Sequence, residues 1–90
     1  MLFRSRTMAN MITYYALIDS RTSRERPRTV LRRVESTEGR TDEMFSRDLT
    51  WESSALLHAA EHGDTMFEFA EITEDEADEI VERIRAESGQ

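Results

Sequence analysis

MFEFAEITEDEADEIVERIR, residues 66–85, changes its period at Thr73, and that change decides the fold. Before Thr73, Met66 to Ile72 is short, apolar and aromatic, which is strand chemistry. After it, Ala77, Ile80, Val81 and Ile84 recur at i, i+3, i+4 and i+7, the single buried stripe of an amphipathic helix. Thr73-Glu74-Asp75-Glu76 reads as a capping box. In such a box the Thr73 hydroxyl accepts from the amide of residue 76, and the Glu76 carboxylate accepts from the amide of Thr73. Glu79 stands four residues before Arg83, the favourable order for a helical ion pair. Glu74 and Asp75 lie at the positive end of the helix dipole, with Arg83 and Arg85 near its negative end.

Upstream, Ser53 to His62 is a second, shorter helix, with Ser53 as N-cap and Gly63 just past its end. Leu56, Leu57 and Ala60 share one face, and His58, Glu61 and His62 fall away from it. Earlier still, Thr13 to Asp19 (TYYALID) is nearly continuous in β-formers, which predicts a central strand. Val30 to Glu35 alternates as a second strand, and Met44 to Trp51 as a third. Glu38-Gly39-Arg40 supplies the turn between them, with Gly39 free to take positive φ. The expected order is β-β-β-α-β-α: an α+β fold with an antiparallel sheet of about four strands and both helices on one face. Residues 1–11 read as a flexible N-terminal extension, with Met1, Met8 and Met11 as alternative starts. Residues 12–87 read as one domain, and 88–90 as a frayed end.

Ninety residues are enough for one domain with a modest core. A chain this short hides only about 60–65% of its unfolded surface. That predicts no room for a deep pocket of roughly 300 Å³ or more. The absence of cysteine excludes disulfides and thiolate chemistry. No stretch approaches the roughly 18 apolar residues of a membrane span. The opening residues lack the cleavage pattern of a signal peptide, and a cytoplasmic location is expected.

The net charge of −7 disfavours non-specific attraction to nucleic acid or anionic membranes. Its distribution is uneven. Residues 1–40 carry nine arginines against four carboxylates, and residues 41–90 carry three arginines against fifteen. The two halves face each other within one fold, meet between two copies, or address separate partners. Every basic residue is arginine. The codon usage of a GC-rich genome accounts for that with fewer assumptions than selection for the guanidinium fork does.

Three constellations are candidate sites. His58-Ala59-Ala60-Glu61-His62 matches H-x-x-E-H, in which two histidines four apart reach one zinc ion and the glutamate acts as general base. The short helix and the small chain argue against a zinc enzyme, and two solvent-facing histidines suffice as an explanation. The loop Asp19 to Thr29 carries Arg21, Arg24, Arg26 and Arg28, and Arg32 and Arg33 extend it onto a strand. Such a patch suits phosphates, with Tyr14 and Tyr15 as stacking partners if exposed. Glu25 and the overall charge oppose that reading. The acidic helix face Glu74, Asp75, Asp78, Glu79 and Glu82 is a solvated face or a surface for a basic partner. Trp51, the only tryptophan, is expected in the core where strand meets helix, or else as an interface anchor. No nucleophile with an adjacent base and no phosphate-cradling loop is apparent, and no cofactor or metal site is expected.

Three stretches, YYALIDSRTSRERP (residues 14–27), RTDEMFSRD (40–48) with Trp51 beyond it, and EITEDEADEIVERIR (71–85), resemble a group of short uncharacterised proteins of high-GC Gram-positive (actinobacterial) bacteria. The resemblance covers the chain from about residue 13. It implies a cytoplasmic bacterial protein, with residues 1–10 outside the core domain, and carries no activity, cofactor or catalytic residue with it. The expected function is a small non-enzymatic protein-interaction or regulatory module, with a protein or a second copy as partner. The alternative is a nucleic-acid accessory protein that contacts phosphates through the arginine loop.

Overall fold

The computed structural model describes residues 11–63 and 65–88. It contains β1 (Met11–Ile18), β2 (Thr29–Ser36), β3 (Gly39–Phe45), β4 (Trp51–Ser53), α1 (Leu56–Glu61), β5 (Glu68–Ile72) and α2 (Glu74–Ser88). The strands form one antiparallel sheet in the order β4-β3-β2-β1-β5. The α+β class and the interior position of β1 match the sequence reading.

Five strands form where four were expected, because the third predicted strand breaks in two. β3 begins at Gly39, directly after the turn, and ends at Phe45. Ser46 to Thr50 then close a turn in which Ser46 N–H donates to Thr50 C=O at 2.8 Å and Leu49 N–H to Ser46 C=O at 3.0 Å. Leu49 takes a φ of 64°, so it has left the extended region altogether. The alternation of Phe45, Leu49 and Trp51 spans this turn and is not one strand. Ser53 ends β4 and does not cap α1, whose N-cap is Ala55 with no side-chain bond. The Ser54 hydroxyl accepts from Leu56 N–H instead. Gly63, at φ 72°, takes the left-handed position expected after the helix. β5 starts two residues later than predicted, leaving Met66 fully exposed and Phe67 39% exposed.

The helices lie on opposite faces, which corrects the expectation of one shared face. Leu17, Leu31 and Leu57 form one buried cluster, with Tyr15, Met44, Leu56 and Phe69 packed around it. Tyr15 opposes Leu31, and Leu31 opposes Met44, so these residues share a face, and α1 covers it. Tyr14, Ala16, Val30 and Phe45 point the other way, toward Ala77 and Val81 of α2. The connectivity explains the split. The chain leaves the sheet at edge strand β4, crosses one face as α1, and re-enters at the opposite edge as β5. The face left bare is then closed by α2 against β1 and β2. Val30 and Leu31 are 0% exposed because both faces of β2 are covered, and each contributes about 1.5–3 kcal/mol of burial.

The capping box forms as read. Glu76 N–H donates to the Thr73 hydroxyl at 3.1 Å, and Thr73 N–H donates to Glu76 Oε1 at 2.9 Å. The expected Glu79–Arg83 pair does not form. Arg83 turns away, donates to Pro27 C=O at 2.6 Å and approaches Glu87 at 3.9 Å. Met11 pairs with Glu35 as the first residue of β1, and Ser88 ends α2. The expectations for residues 1–10 and 89–90 lie outside the described residues.

Candidate interaction surface

The arginine loop is tied by contacts within itself and to α2. Asp19 organises its start. The Arg21 amide donates to Asp19 Oδ1, the Thr22 hydroxyl bonds the same carboxylate, and Arg28 closes an ion pair with Asp19 Oδ2. These donors, led by the Arg21 amide and then the Arg28 side chain, hold the Asp19 carboxyl below its ordinary pKa. Arg26 pairs with Glu87 near the end of α2, and Pro27 is buried beneath Arg83. Asp19 to Arg28 therefore packs on the last turns of α2 by two contacts, Arg26 with Glu87 and Arg83 with the Pro27 carbonyl.

Four of the six arginines proposed as a phosphate patch form ion pairs within the chain, Arg26 and Arg28 at the surface and Arg32 and Arg33 more deeply. Arg32 Nε donates to Glu43 at 2.7 Å, and its guanidinium lies 4.1 Å from the Trp51 ring centroid. That cation–π contact is worth about 0.5–1 kcal/mol. Arg33 is 8% exposed and bonds both oxygens of Asp42 and one of Glu61. These partners raise the Arg33 pKa, Asp42 most strongly, and keep it charged. Arg32 and Arg33 therefore do not extend the loop's patch. Among the described residues, Arg21, Arg24 and Arg47 form no ion pair.

Trp51 is half-buried on edge strand β4, the short strand that runs into α1. It meets Phe45 edge-on, with ring centroids 5.3 Å apart. The two tyrosines are half-buried on opposite faces, so neither is a free stacking platform. Burial raises the Tyr14 pKa first, Glu74 and Asp78 add to that, and Arg32 opposes it.

The histidines of H-x-x-E-H sit 4.4 Å apart between ring centroids, both exposed. Glu61 points elsewhere. It accepts from Arg33 at 2.8 Å and lies 3.6 Å from Arg40, and chiefly the Arg33 bond holds its carboxyl below the ordinary range. A carboxylate so engaged is a weak general base. Among the described residues, no three His, Cys, Asp or Glu side chains converge to hold a metal ion.

The acidic surface is the mirror image of the arginine set. Glu74, Asp75, Asp78 and Glu79 are exposed on α2 and form no ion pair among the described residues, and Glu82 has only Arg85 at 4.0 Å. Glu68, on the outermost strand β5, lies on the sheet face that α2 covers and continues the same negative field, whereas Glu71 lies on the opposite face. Asp75 and Glu79 are like charges at i, i+4, a spacing that costs helix stability.

The described residues form open clefts on the surface. An open cleft of about 540 Å³ lies between the arginine loop and α2, lined by Arg21, Arg26, Arg28, Arg83 and Glu87. A second, mostly apolar cleft of about 330 Å³ opens at the end of the sheet where β3 stops. No helix among the described residues is long and apolar enough to cross a membrane. No family model, no curated protein and no solved structure matches this chain.

Proposed function

We propose that this chain is a small protein-interaction module without catalysis of its own. It offers the acidic surface of β5 and α2 to a basic partner. The reading rests on one observation. Arg26, Arg28, Arg32, Arg33 and Arg40 are matched by carboxylates of the chain itself, whereas Glu74, Asp75, Asp78 and Glu79 have no ion-pair partner among the described residues. Of the three arrangements that the charge split permits, pairing within one fold accounts for five of the nine arginines of residues 1–40. The negative surplus is left for a separate molecule. Helix-borne carboxylates are a cheap way to steer a basic partner into contact. A cytoplasmic bacterial setting belongs to the same proposal.

The nucleic-acid alternative is weakened by the same accounting, since only Arg21 and Arg24 of the loop remain unpaired. A second copy is a poorer partner for the acidic face than a foreign basic protein, because among the described residues only Arg21, Arg24 and Arg47 are left without an ion pair to meet it.

Calorimetric titration with an arginine-rich peptide and with a DNA duplex, at about 50 and 200 mM salt, tests the reading. The peptide should bind at the lower salt, and Asp75→Arg/Asp78→Arg/Glu79→Arg should abolish it. Glu25→Arg/Glu38→Arg/Asp48→Arg changes the net charge equally and should retain it. DNA binding that weakens with Arg21→Glu and Arg24→Glu would establish the alternative. Equal loss in both triple variants would reduce the effect to bulk charge and end the proposal.

A further inference from the structure

We infer that the apolar cleft at the end of the sheet is a binding site for a small amphipathic acid, a carboxylate on a short aliphatic body. The inference goes beyond the acidic surface and does not depend on it. Leu17, Met44, Phe45, Leu56, Phe67 and Ile84 supply apolar walls from β1, β3, α1, the β5 approach and α2. The cleft draws on both layers because β3 stops at Phe45, and the sheet no longer separates Met44 from Ile84. Its volume of about 330 Å³ falls within the range of small-molecule sites. Thr29 also lines it, but its hydroxyl already donates to Phe45 C=O at 2.8 Å, so the floor has no unmet demand for a polar ligand.

Only cationic groups among the ionisable side chains complete the lining. Arg28 is held by Asp19, and Arg47 forms no ion pair among the described residues. Among the described residues no carboxylate lines this cleft. Arg47 is also carried on a strained turn. Ser46 to Thr50 place Leu49 at φ 64°, a conformation that a leucine adopts at a cost and that clusters at ligand-binding positions. Apolar walls with an unmatched guanidinium select a ligand with one negative end and one apolar end. The polarity runs against the net charge of −7, which makes it testable: a non-specific site on this protein would prefer a cation.

The experiment compares octanoate, octan-1-ol and octylammonium by calorimetry, with Trp51 emission as a second readout through its contact with Phe45. Octanoate should bind saturably, about tenfold tighter than either analogue, as a charge-assisted contact predicts. Arg47→Glu should lose at least about tenfold, and Arg47→Lys should stay close to wild type. Arg47 is exposed, so both variants should keep the wild-type far-ultraviolet spectrum. Met44→Trp, which fills the cleft, should abolish binding. Octylammonium binding as well as octanoate, indifference to Arg47→Glu, or no saturable octanoate binding would each overturn the inference.

Discussion

Arg33 of β2 and Asp42 of β3 face each other at one register position of the sheet. They are joined by two parallel hydrogen bonds of 2.8 and 3.0 Å. A third bond from the same guanidinium reaches Glu61 of α1. This fork ties the short helix to the sheet where the apolar cluster of Leu17, Leu31 and Leu57 gives out. Bidentate geometry of this kind fixes position as well as adding energy.

Removing one partner of this pair should cost more than removing both. Asp42→Ala leaves a mostly buried guanidinium with Glu61 alone, and should lower stability by about 2–3 kcal/mol. Arg33→Met/Asp42→Leu removes the charges together and should come within about 1 kcal/mol of wild type. Urea midpoints at neutral pH measure both. A double variant as damaged as the single one would mean that the pair itself stabilises the fold.

Gly39 and Gly63 separate backbone strain from packing. A Cβ built at either position meets nothing within 4 Å, so only the dihedral matters. Gly63→Ala, at φ 72°, should cost about 1 kcal/mol, the usual left-handed penalty. Gly39→Ala, at φ 143°, enters a region nearly reserved for glycine and should cost about 2 kcal/mol. Thermal unfolding of the two variants side by side should rank them in that order.

The legible part of the fold was the part set by local periodicity. α2, its capping box, β1 and the turn at Gly39 follow from spacing alone, because each is specified by residues within a few positions of one another. The break at Ser46 to Thr50 was not legible. Phe45, Leu49 and Trp51 keep strand alternation while the backbone turns, and only the φ of Leu49 betrays it. The placement of helices on opposite faces is a property of strand order, and two edges far apart in space leave no trace in either helix.

For the candidate site, sequence could find the charges but not their partners. Arg32 and Arg33 look identical as neighbours in a basic run. One stacks over Trp51 while the other is buried among carboxylates from β3 and α1. The signal that could have separated them is alternation, since neighbours on a strand point to opposite faces. The acidic face of α2 was legible because helical periodicity alone exposes it. The apolar cleft was not, because its walls come from five separate segments.

Acid should weaken the fold through carboxylates whose donors depress their pKa. Arg33 lowers that of Glu61, the Thr73 amide lowers that of Glu76, and the Arg21 amide lowers that of Asp19. A depressed carboxylate contributes stability that is present above its unfolded pKa, about 4, and is lost as pH falls through the lower folded value. Urea midpoints should therefore stay level from pH 7 to about 5 and drop below about 4. Glu76→Gln keeps an acceptor for the Thr73 amide, so it should flatten part of this acid slope while changing neutral stability little. Thr73→Ala should instead cost about 1 kcal/mol at neutral pH. An acid slope unchanged by Glu76→Gln would remove Glu76 from this account.

Solution mass as a function of salt tests how the arginines are spent. If Arg26, Arg28, Arg32 and Arg33 are satisfied within one chain, only Arg21, Arg24 and Arg47 among the described residues are left without an ion pair to join two copies. Raising salt should then not dissociate any dimer that forms, and screening of the acidic surfaces should favour association slightly. An interface between copies would fall on exposed apolar residues such as Met66 and Phe67, and Met66→Glu/Phe67→Glu should then yield a monomer at every salt concentration. A dimer that dissociates between about 50 and 500 mM salt would show the opposite. Arginines paired internally in this structure would then be exchanging partners between copies, and the charge split would be an assembly device. Light scattering after size exclusion distinguishes the two outcomes directly.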